Sequence, residues 1–216
     1  MRKKLTVMQS SKSESSYRNA LRGRILDVAM HAFATKGIRA VKMDDIAQSL
    51  TISKRTLYEL YDNKEKLLLE GVKKFRVQSE TDQQRIIDEC PTVIDVIVRL
   101  YRKKVDEFKL TSPTFYSDLV KYPSVQRYLH QNRQQSHQRF IQFLQRGVAE
   151  GYFRNDLELE LVAQLFAAIS DHIMGHQLYN SYPIEQVFHD LILVSLRGFC
   201  TPQGITKLDQ YFKQSQ

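Results

Sequence analysis

The chain of 216 residues contains no tryptophan and only two cysteines, Cys90 and Cys200. The two cysteines lie far apart and match no metal-ligand spacing, so neither a disulfide framework nor a zinc site is predicted. A reduced compartment with ordinary buried thiols fits this pattern best, and we expect a cytoplasmic protein.

Long apolar segments are missing from the sequence as well. No stretch approaches the roughly 18 uncharged apolar residues that suggest a membrane span. Arg2, Lys3 and Lys4 precede only Leu-Thr-Val-Met before polar residues resume, and this apolar run is too short for a secretory signal. We therefore expect no membrane partner.

The motifs of common enzymes are also missing, since we find no glycine-rich phosphate loop, serine elbow, paired-carboxylate motif or metal-protease signature. We expect no catalytic activity and no cofactor. His172 and His176 are four residues apart and could supply two metal ligands, but no third ligand is near in sequence. Two polar residues in a core or a dimer seam are the better interpretation, and no metal is predicted.

Positive charge is present in excess, and it is concentrated in one part of the chain. The net charge is +8, with 17 basic and 8 acidic residues in positions 1–78. The remaining positions are close to neutral. A basic segment joined to a neutral one is expected when only the first touches a polyanion, because phosphate neutralisation drives nucleic-acid affinity. A solvated basic face that aids solubility is the alternative.

Apolar residues recur at helical spacing, and no segment alternates with the period of a strand, so we predict an all-α protein. A first helix is expected from Leu21 to Lys36, where Gly37 stops it. The residues before it are rich in Ser, Lys and Gln, which favours a flexible basic arm over residues 1–19.

Three short helical signals follow the first helix. Apolar residues from Met43 to Leu50 predict a second helix, and Ser53 is a good N-cap for a third over residues 54–60. Asp62 with Glu65 resembles a capping box that begins a fourth helix. The tight connection between the second and third helices predicts a three-helix helix-turn-helix domain over residues 20–66.

The third of these helices carries residues suited to DNA. In helix-turn-helix proteins, the leading residues of the second helix of the motif meet the base edges. Lys54 and Arg55 are therefore predicted base readers. Hydroxyl and ammonium groups suit phosphates, which we assign to Ser53, Thr56, Tyr58, Tyr61 and Lys64. Short amphipathic helices with solvated basic ends are common, and each residue alone is weak evidence.

The last two major helices are too apolar for one buried stripe. Such helices are buried on two sides, either deep in a large core or against another subunit. In a chain of this size we favour a homodimer joined through a four-helix interface. The residues predicted for that interface are Leu161, Leu165, Ile169, Phe188, Leu191 and Ile192.

In combination, several fragments resemble the TetR (tetracycline-repressor-like) family of transcriptional regulators. The fragments are Ile25-Leu26-x-x-Ala29 with Phe33 and Gly37, Asp45-Ile46-Ala47, Ile52-Ser53-Lys54-x-Thr56-Leu57-Tyr58-x-x-Tyr61, and Asn63-Lys64-Glu65-x-Leu67. The resemblance covers about fifty residues. Beyond them, the chain matches only in helical layout and in the Gly151-Tyr152-Phe153-Arg154 turn.

The resemblance implies a homodimer, an effector pocket among the C-terminal helices, and repression relieved by a small molecule. It places Ser53, Lys54, Thr56, Tyr58 and Lys64 on DNA-contacting positions. Two residues depart from the family pattern. Lys42 stands where a Ser or Thr commonly caps the second helix and touches phosphate, so it is a candidate DNA contact, and Thr51 replaces a frequent turn glycine.

The resemblance assigns residues 67–216 to a helical effector-binding and dimerisation domain. Aromatic residues suit an apolar effector pocket, although aromatics at helical spacing are more often core. The candidates are Phe108, Phe115, Tyr116, Tyr122, Tyr128, Phe140 and Phe143. We predict a repressor that an unknown small-molecule effector releases from a palindromic double-stranded DNA operator. The alternative is an effector-independent, DNA-bound architectural or protein-interaction module.

Overall fold

The computed structural model describes the backbone of residues 2–213 and the side chains of residues 15–211. The helices run over Arg2–Lys36 (α1), Met43–Ser49 (α2), Lys54–Leu60 (α3), Lys64–Glu89 (α4), Val93–Lys109 (α5), Pro113–Leu119 (α6), Pro123–Gln131 (α7), Arg133–Ala149 (α8), Leu159–Gly175 (α9), Ile184–Val187 (α10), Val194–Phe199 (α11) and Pro202–Lys213 (α12). A 3₁₀ turn, Leu178–Asn180, follows α9, and a π-helical segment, Phe188–Leu193, joins α10 to α11. The all-α fold class is confirmed.

The first helix begins earlier than predicted. It starts at Arg2 rather than near Leu21, so the predicted arm is continuous with α1. Residues 2–22 contain neither proline nor glycine. Once a helix has nucleated, each added residue gains a hydrogen bond at little further cost. The residues predicted to form an arm therefore include no helix-breaking residue that would interrupt α1.

Local capping signals located α3 correctly and displaced α4 by one residue. The Ser53 Oγ accepts a hydrogen bond from the Thr56 N–H at 3.0 Å, which satisfies an otherwise unpaired donor at the start of α3. The α4 cap is Asn63, whose Oδ1 accepts from the Lys66 N–H at 2.9 Å. The predicted cap, Asp62, instead pairs with the Lys66 ammonium group.

The described residues form two large apolar cores and a smaller cluster of Ile86, Cys90 and Val96. The N-terminal core is formed by α1 to α4 and includes Phe33 and Leu57, and it also takes in Val125 of α7. The C-terminal core lies among α5, α8, α9, α11 and α12. Helix α4 joins them, because Leu67 and Leu68 are buried in the first core and Ile86 is buried near α5.

Both cysteines are free and buried. Burial raises the pKa of the Cys200 thiol to about 11, which keeps it protonated at neutral pH. Within residues 2–213, no helix combines the length and apolar character needed to cross a bilayer.

Candidate DNA interface

The turn between α2 and α3 is tight and is closed by backbone hydrogen bonds. The Ile52 N–H donates to the Ala47 carbonyl at 3.0 Å, and the Thr51 N–H donates to the Gln48 carbonyl at 3.0 Å. Thr51 adopts a φ of +54°, a left-handed conformation that β-branched residues disfavour. Although threonine replaces the turn glycine, the turn keeps the left-handed conformation typical of glycine, and the backbone is strained at Thr51.

Helix α3 is anchored on one side and open on the other. Leu57 and Leu60 are buried in the N-terminal core. Ser53, Lys54, Arg55 and Tyr58 are exposed. The helix is therefore held by its apolar side, and its polar side is available to a groove of DNA.

Both predicted base readers have carboxylate partners within this domain. The Lys54 ammonium lies 2.5 Å from Asp44 Oδ2 on α2, and this carboxylate raises the pKa of Lys54. The Arg55 Nε donates to Glu59 Oε1 at 2.8 Å, one turn along α3. The sequence prediction did not include Asp44 and Glu59 as partners. The four-residue spacing of Arg55 and Glu59 is, however, typical of an ion pair on one face of a helix.

The two tyrosines of the motif have opposite environments. The side chain of Tyr58 is open to solvent, with 46% of the residue exposed, whereas Tyr61 is only 3% exposed. The Tyr61 hydroxyl donates to the Arg22 carbonyl at 3.3 Å, and the Arg22 guanidinium lies 4.8 Å from the ring centroid. Burial raises the pKa of Tyr61. Tyr61 is thus a core residue, and its predicted phosphate contact is corrected.

Lys64 also turns toward the protein. Its ammonium group donates to the carbonyls of Ile38 and Val41, each at 3.0 Å, in the connection between α1 and α2. Burial lowers the pKa of Lys64. The residue holds this connection in place, so the structure gives it a supporting role where the sequence predicted a phosphate contact.

Lys42 is exposed at the start of α2. Its backbone N–H donates to Asp45 Oδ2 at 2.8 Å, so the Asp45 carboxylate satisfies the backbone donor at this end of the helix. The Lys42 side chain is exposed to solvent, and it belongs to the same domain as α3.

The helix-turn-helix region matches a known family in sequence. The family model described as bacterial regulatory proteins, tetR family, matches residues 25–70. The chain is 27% identical over 149 residues to the HTH-type transcriptional repressor KstR2 of Mycobacterium tuberculosis, covering 67% of this chain and 74% of that protein. Residues 25–70 form a DNA-binding domain of the TetR family. The chain is a DNA-binding transcriptional regulator.

Solved structures of TetR-family members share the fold. The ketosteroid transcriptional regulator KstR2 of M. tuberculosis is similar with a TM-score of 0.55 and 23% identity, covering 83% of this chain and 95% of that chain. A putative regulator from Saccharomonospora viridis in complex with choline has a TM-score of 0.69 and 18% identity, covering 85% and 99%. A cysteine mutant of the TetR-family regulator CifR, complexed with 26-bp operator DNA, has a TM-score of 0.60 and 20% identity, covering 82% and 95%.

Polar contacts connect the DNA-binding domain to the helices that follow. The buried Asp118 of α6 accepts a hydrogen bond from the Arg39 N–H at 2.8 Å. At Gly37, with a φ of +84°, a Cβ atom would lie only 2.6 Å from the Thr114 Oγ1. Helix α6 therefore packs closely against the α1–α2 connection, where Lys64 also binds.

A second link joins α4 to α7. The Glu65 carboxylate accepts hydrogen bonds from the Ser124 N–H at 3.1 Å and from the Ser124 hydroxyl at 2.6 Å. These hydrogen bonds lower the pKa of Glu65. The predicted boundary near residue 66 is thus crossed by two sets of contacts, one through α6 and one through α7.

The seven aromatic residues predicted to line one effector pocket lie in three places. Phe108 and Tyr116 stack with ring centroids 4.8 Å apart, and Tyr116 also contacts Phe115. Tyr122 and Tyr128 pack against the N-terminal core. The other two residues belong to the C-terminal core, where they are Phe140 and Phe143. Phe115 also packs against the N-terminal core, so the first two groups adjoin. Sequence spacing gave the helical faces but not which helices meet, and the effector pocket stays a prediction.

Two of the six predicted dimer residues lie on the surface. Leu161 and Leu165 of α9 are 63% and 51% exposed, although both are apolar. Ile169, Leu191 and Ile192 are half-buried. Val194, which was not predicted, is 55% exposed.

Phe188, another predicted dimer residue, is half-buried and contacts aromatic rings of its own chain. Its ring centroid lies 5.7 Å from that of Phe108 and 6.1 Å from that of Tyr101, both on α5. It therefore packs in part within its own chain, and its place at a dimer interface stays a prediction.

His172 of α9 and His176, which directly follows α9, are both exposed. The ring centroids of His172 and His176 are 4.4 Å apart. Among residues whose side chains the structure describes, no group of three His, Cys, Asp or Glu residues could hold a metal ion.

Proposed function

We propose that the protein is a homodimeric repressor that binds a near-palindromic operator through α3 and leaves it when a small molecule binds the C-terminal helices. The observation that carries this proposal is the exposed polar face of α3, with Arg55 and Lys54 at its start and the apolar side anchored in the core. A helix presented this way enters the major groove with its first residues against the bases.

The proposed DNA contacts separate into two kinds. Arg55 and Lys54 read base edges, since both can present hydrogen-bond donors to guanine. Lys42, Ser53, Thr56 and Tyr58 contact phosphates and fix the register of α3. The Ser53 and Thr56 hydroxyls lie 2.8 Å apart, so a phosphate would meet them as a pair.

The proposed dimer interface is the exposed apolar face of α9 with the neighbouring helix of residues 184–199. Leu161, Leu165 and Val194 form its exposed part. Large apolar side chains exposed together on a surface are typical of an interaction site. A two-fold dimer would set two α3 helices about 34 to 36 Å apart, one turn of DNA.

The proposed effector site is the cluster around Tyr116, where α5, α6 and the helix of residues 184–199 meet. Phe108 and Phe188 contact each other there, and Tyr179 lies 5.4 Å from Tyr116 between ring centroids. A ligand that moved α6 would act on Asp118, which binds the α1–α2 connection of the DNA-binding domain. Effector binding and operator binding would then oppose each other.

Selection of bound duplexes from a random library tests the proposal. We expect sequences with two-fold symmetry, half-sites about 10 bp apart, and affinity that falls steeply as salt rises. An Arg55→Ala variant should lose preference at one base pair by about 1 to 3 kcal/mol, whereas Tyr58→Phe should weaken all duplexes alike. A monomer in solution, or selected sites without two-fold symmetry, would contradict the mechanism.

The second candidate is the effector-independent DNA-bound module, which the dispersion of the aromatic residues favours. Thermal unfolding with a ligand panel separates the two. A repressor with an effector site should be stabilised by RT ln(1 + [L]/Kd) when the effector is present. The panel should include a ketosteroid and choline, because one similar protein is a ketosteroid transcriptional regulator and another was solved in complex with choline. Stabilisation by none of the panel, together with operator affinity insensitive to cell metabolites, would favour the module.

A further inference from the structure

The DNA-facing side of α3 carries a carboxylate where a polyanion is expected to dock. Successive residues of a helix are rotated by about 100°. Arg55 therefore lies nearly opposite the buried Leu57 and Leu60, and it is flanked by Tyr58 at about 60° on one side and by Glu59 at about 40° on the other. The side chain of Arg55 is 88% exposed and that of Glu59 is 53% exposed.

A carboxylate at this position repels phosphate, so its effect on non-specific DNA binding is unfavourable. Asp44, which pairs with Lys54, has a separate role because it lies in the first turn of α2 and complements the dipole of that helix. Glu59 is in the last turn of α3, where a negative charge opposes the helix dipole. Its position is thus unfavourable for the helix and for phosphate, and its observed contact is the hydrogen bond from Arg55.

The geometry of that hydrogen bond is specific. Glu59 Oε1 accepts from Nε of Arg55 at 2.8 Å. A guanidinium group carries one N–H on Nε and two on each terminal nitrogen, all in one plane. A hydrogen bond at Nε restricts the orientation of that plane and leaves the donors of the two terminal nitrogens available. Two parallel donors of this kind match O6 and N7 of guanine.

We infer that Glu59 is a positioning residue for sequence recognition, which orients the Arg55 guanidinium end-on toward a guanine in the operator. The pair also carries no net charge, so Arg55 gains little from phosphate contacts on random DNA. Discrimination between the operator and random DNA improves in two ways, because the guanine of the operator receives two aligned donors and the affinity for random DNA is kept low. This inference rests on the proposed base-reading role of α3.

The test compares variants at Glu59 on a selected operator and on duplexes that change its base pairs one at a time. Glu59→Gln keeps an oxygen acceptor for Nε and removes the charge, whereas Glu59→Ala removes both. We expect Glu59→Ala to lose most of the preference for one guanine, a change of about five- to a hundredfold. Glu59→Gln should keep that preference within about twofold, since a neutral hydrogen bond still fixes the plane.

Asp62→Ala is the matched control for charge. Asp62 is exposed and pairs with Lys66 across the same four-residue spacing, but it lies beyond α3. Glu59→Ala, Glu59→Gln and Asp62→Ala should all raise affinity for random DNA, because each removes one negative charge from the basic domain. Only Glu59→Ala should change base preference. Unfolding temperatures measured in parallel identify any variant that is not folded, and Glu59→Gln removes no heavy atoms.

Each contrary outcome has a distinct meaning. If Glu59→Ala keeps the guanine preference while Arg55→Ala loses it, Arg55 reads the base unaided and the inference is overturned. If Glu59→Gln loses the preference as fully as Glu59→Ala, charge rather than orientation is responsible, which also overturns it. If Arg55→Ala leaves every base preference intact, the base-reading part of the proposed function fails instead.

Discussion

The DNA-binding domain and the C-terminal helices present opposite kinds of surface. On α3 the apolar residues are buried, and the exposed residues are polar or charged. On α9 the exposed residues include Leu161 and Leu165. A surface of the first kind suits a hydrated polyanion, and a surface of the second kind suits another apolar surface. The proposed DNA interface and the proposed dimer interface thus differ in chemistry, and separate substitutions can address each of them.

The largest effect is expected from charge on the apolar surface. The double substitution Leu161→Glu with Leu165→Glu should dissociate the proposed dimer, because two carboxylates per protomer would have to be desolvated at the interface. Operator affinity should fall by about 100-fold or more, since a monomer holds only one half-site. Sedimentation and operator titration measure the two effects.

Leu110→Glu is the control for the dimer prediction, because Leu110 is 77% exposed and lies at the end of α5. This variant should remain dimeric and should bind the operator normally. A dimer that persists after the double substitution would show that the apolar surface of α9 is not the interface.

A smaller effect is expected where the two regions meet. Burial opposes ionisation of Asp118, but hydrogen bonds from the Arg39 N–H and Lys121 prevail and lower its pKa. The contact therefore stabilises the fold above the ordinary value of 3.8 and is lost as pH falls through the lower pKa of the folded state. Asp118→Asn should lower the free energy of unfolding by about 1 to 3 kcal/mol at pH 7.

Denaturant titrations at several pH values measure the Asp118 effect. The difference between Asp118→Asn and the natural chain should shrink below pH 3.8. Asp106→Asn, at an exposed position of α5, should have little effect at any pH. An Asp118 difference that stays constant down to acid pH would exclude the charge as its cause.

The two tyrosines of the motif should respond differently to loss of their hydroxyl groups. Tyr58→Phe should weaken binding to every duplex by about 0.5 to 1.5 kcal/mol and leave the unfolding temperature unchanged. Tyr61→Phe should lower stability by no more than about 1 kcal/mol and leave the salt dependence of DNA binding unchanged. The reverse pattern would restore Tyr61 to the DNA interface and remove Tyr58.

The smallest effect is expected at Thr51. A left-handed conformation costs a non-glycine residue about 1 to 2 kcal/mol, whereas glycine loses about 0.5 to 1 kcal/mol of chain entropy. Thr51→Gly should therefore raise the free energy of unfolding by about 0.5 to 1 kcal/mol. Thr81→Gly, within α4, should lower it. Destabilisation by Thr51→Gly would mean that the threonine side chain makes a compensating contact.

Local signals predicted the motif, and long-range contacts account for what they missed. Ser53 and the apolar spacing of Leu57 and Leu60 gave the bounds of α3, because capping and burial act within a few residues. Tyr61 and Lys64 were assigned to DNA because of their side-chain type. Their partners, however, lie 39 and 23 to 26 positions away in the chain.

The C-terminal helices were harder to predict for a related reason. The apolar residues between positions 123 and 150 recur at the spacing of one long helix, yet this segment divides at Asn132, whose side chain donates to the Tyr128 carbonyl at 2.7 Å. No proline or glycine marks that break. The aromatic residues show regular spacing on each helix, but which helices meet depends on the packing of the whole chain.

The burial of Val125 limits how the DNA-binding domain could be transferred to another protein. It is fully buried in the core of the DNA-binding domain, although it belongs to α7 and lies outside the segment that the family model matches. A hybrid regulator that borrowed only the first 70 residues would leave a hole where Val125 sits and would expose the apolar side chains around it. To transplant the operator preference of this chain, the recipient must also supply α6 and α7 or an equivalent lid.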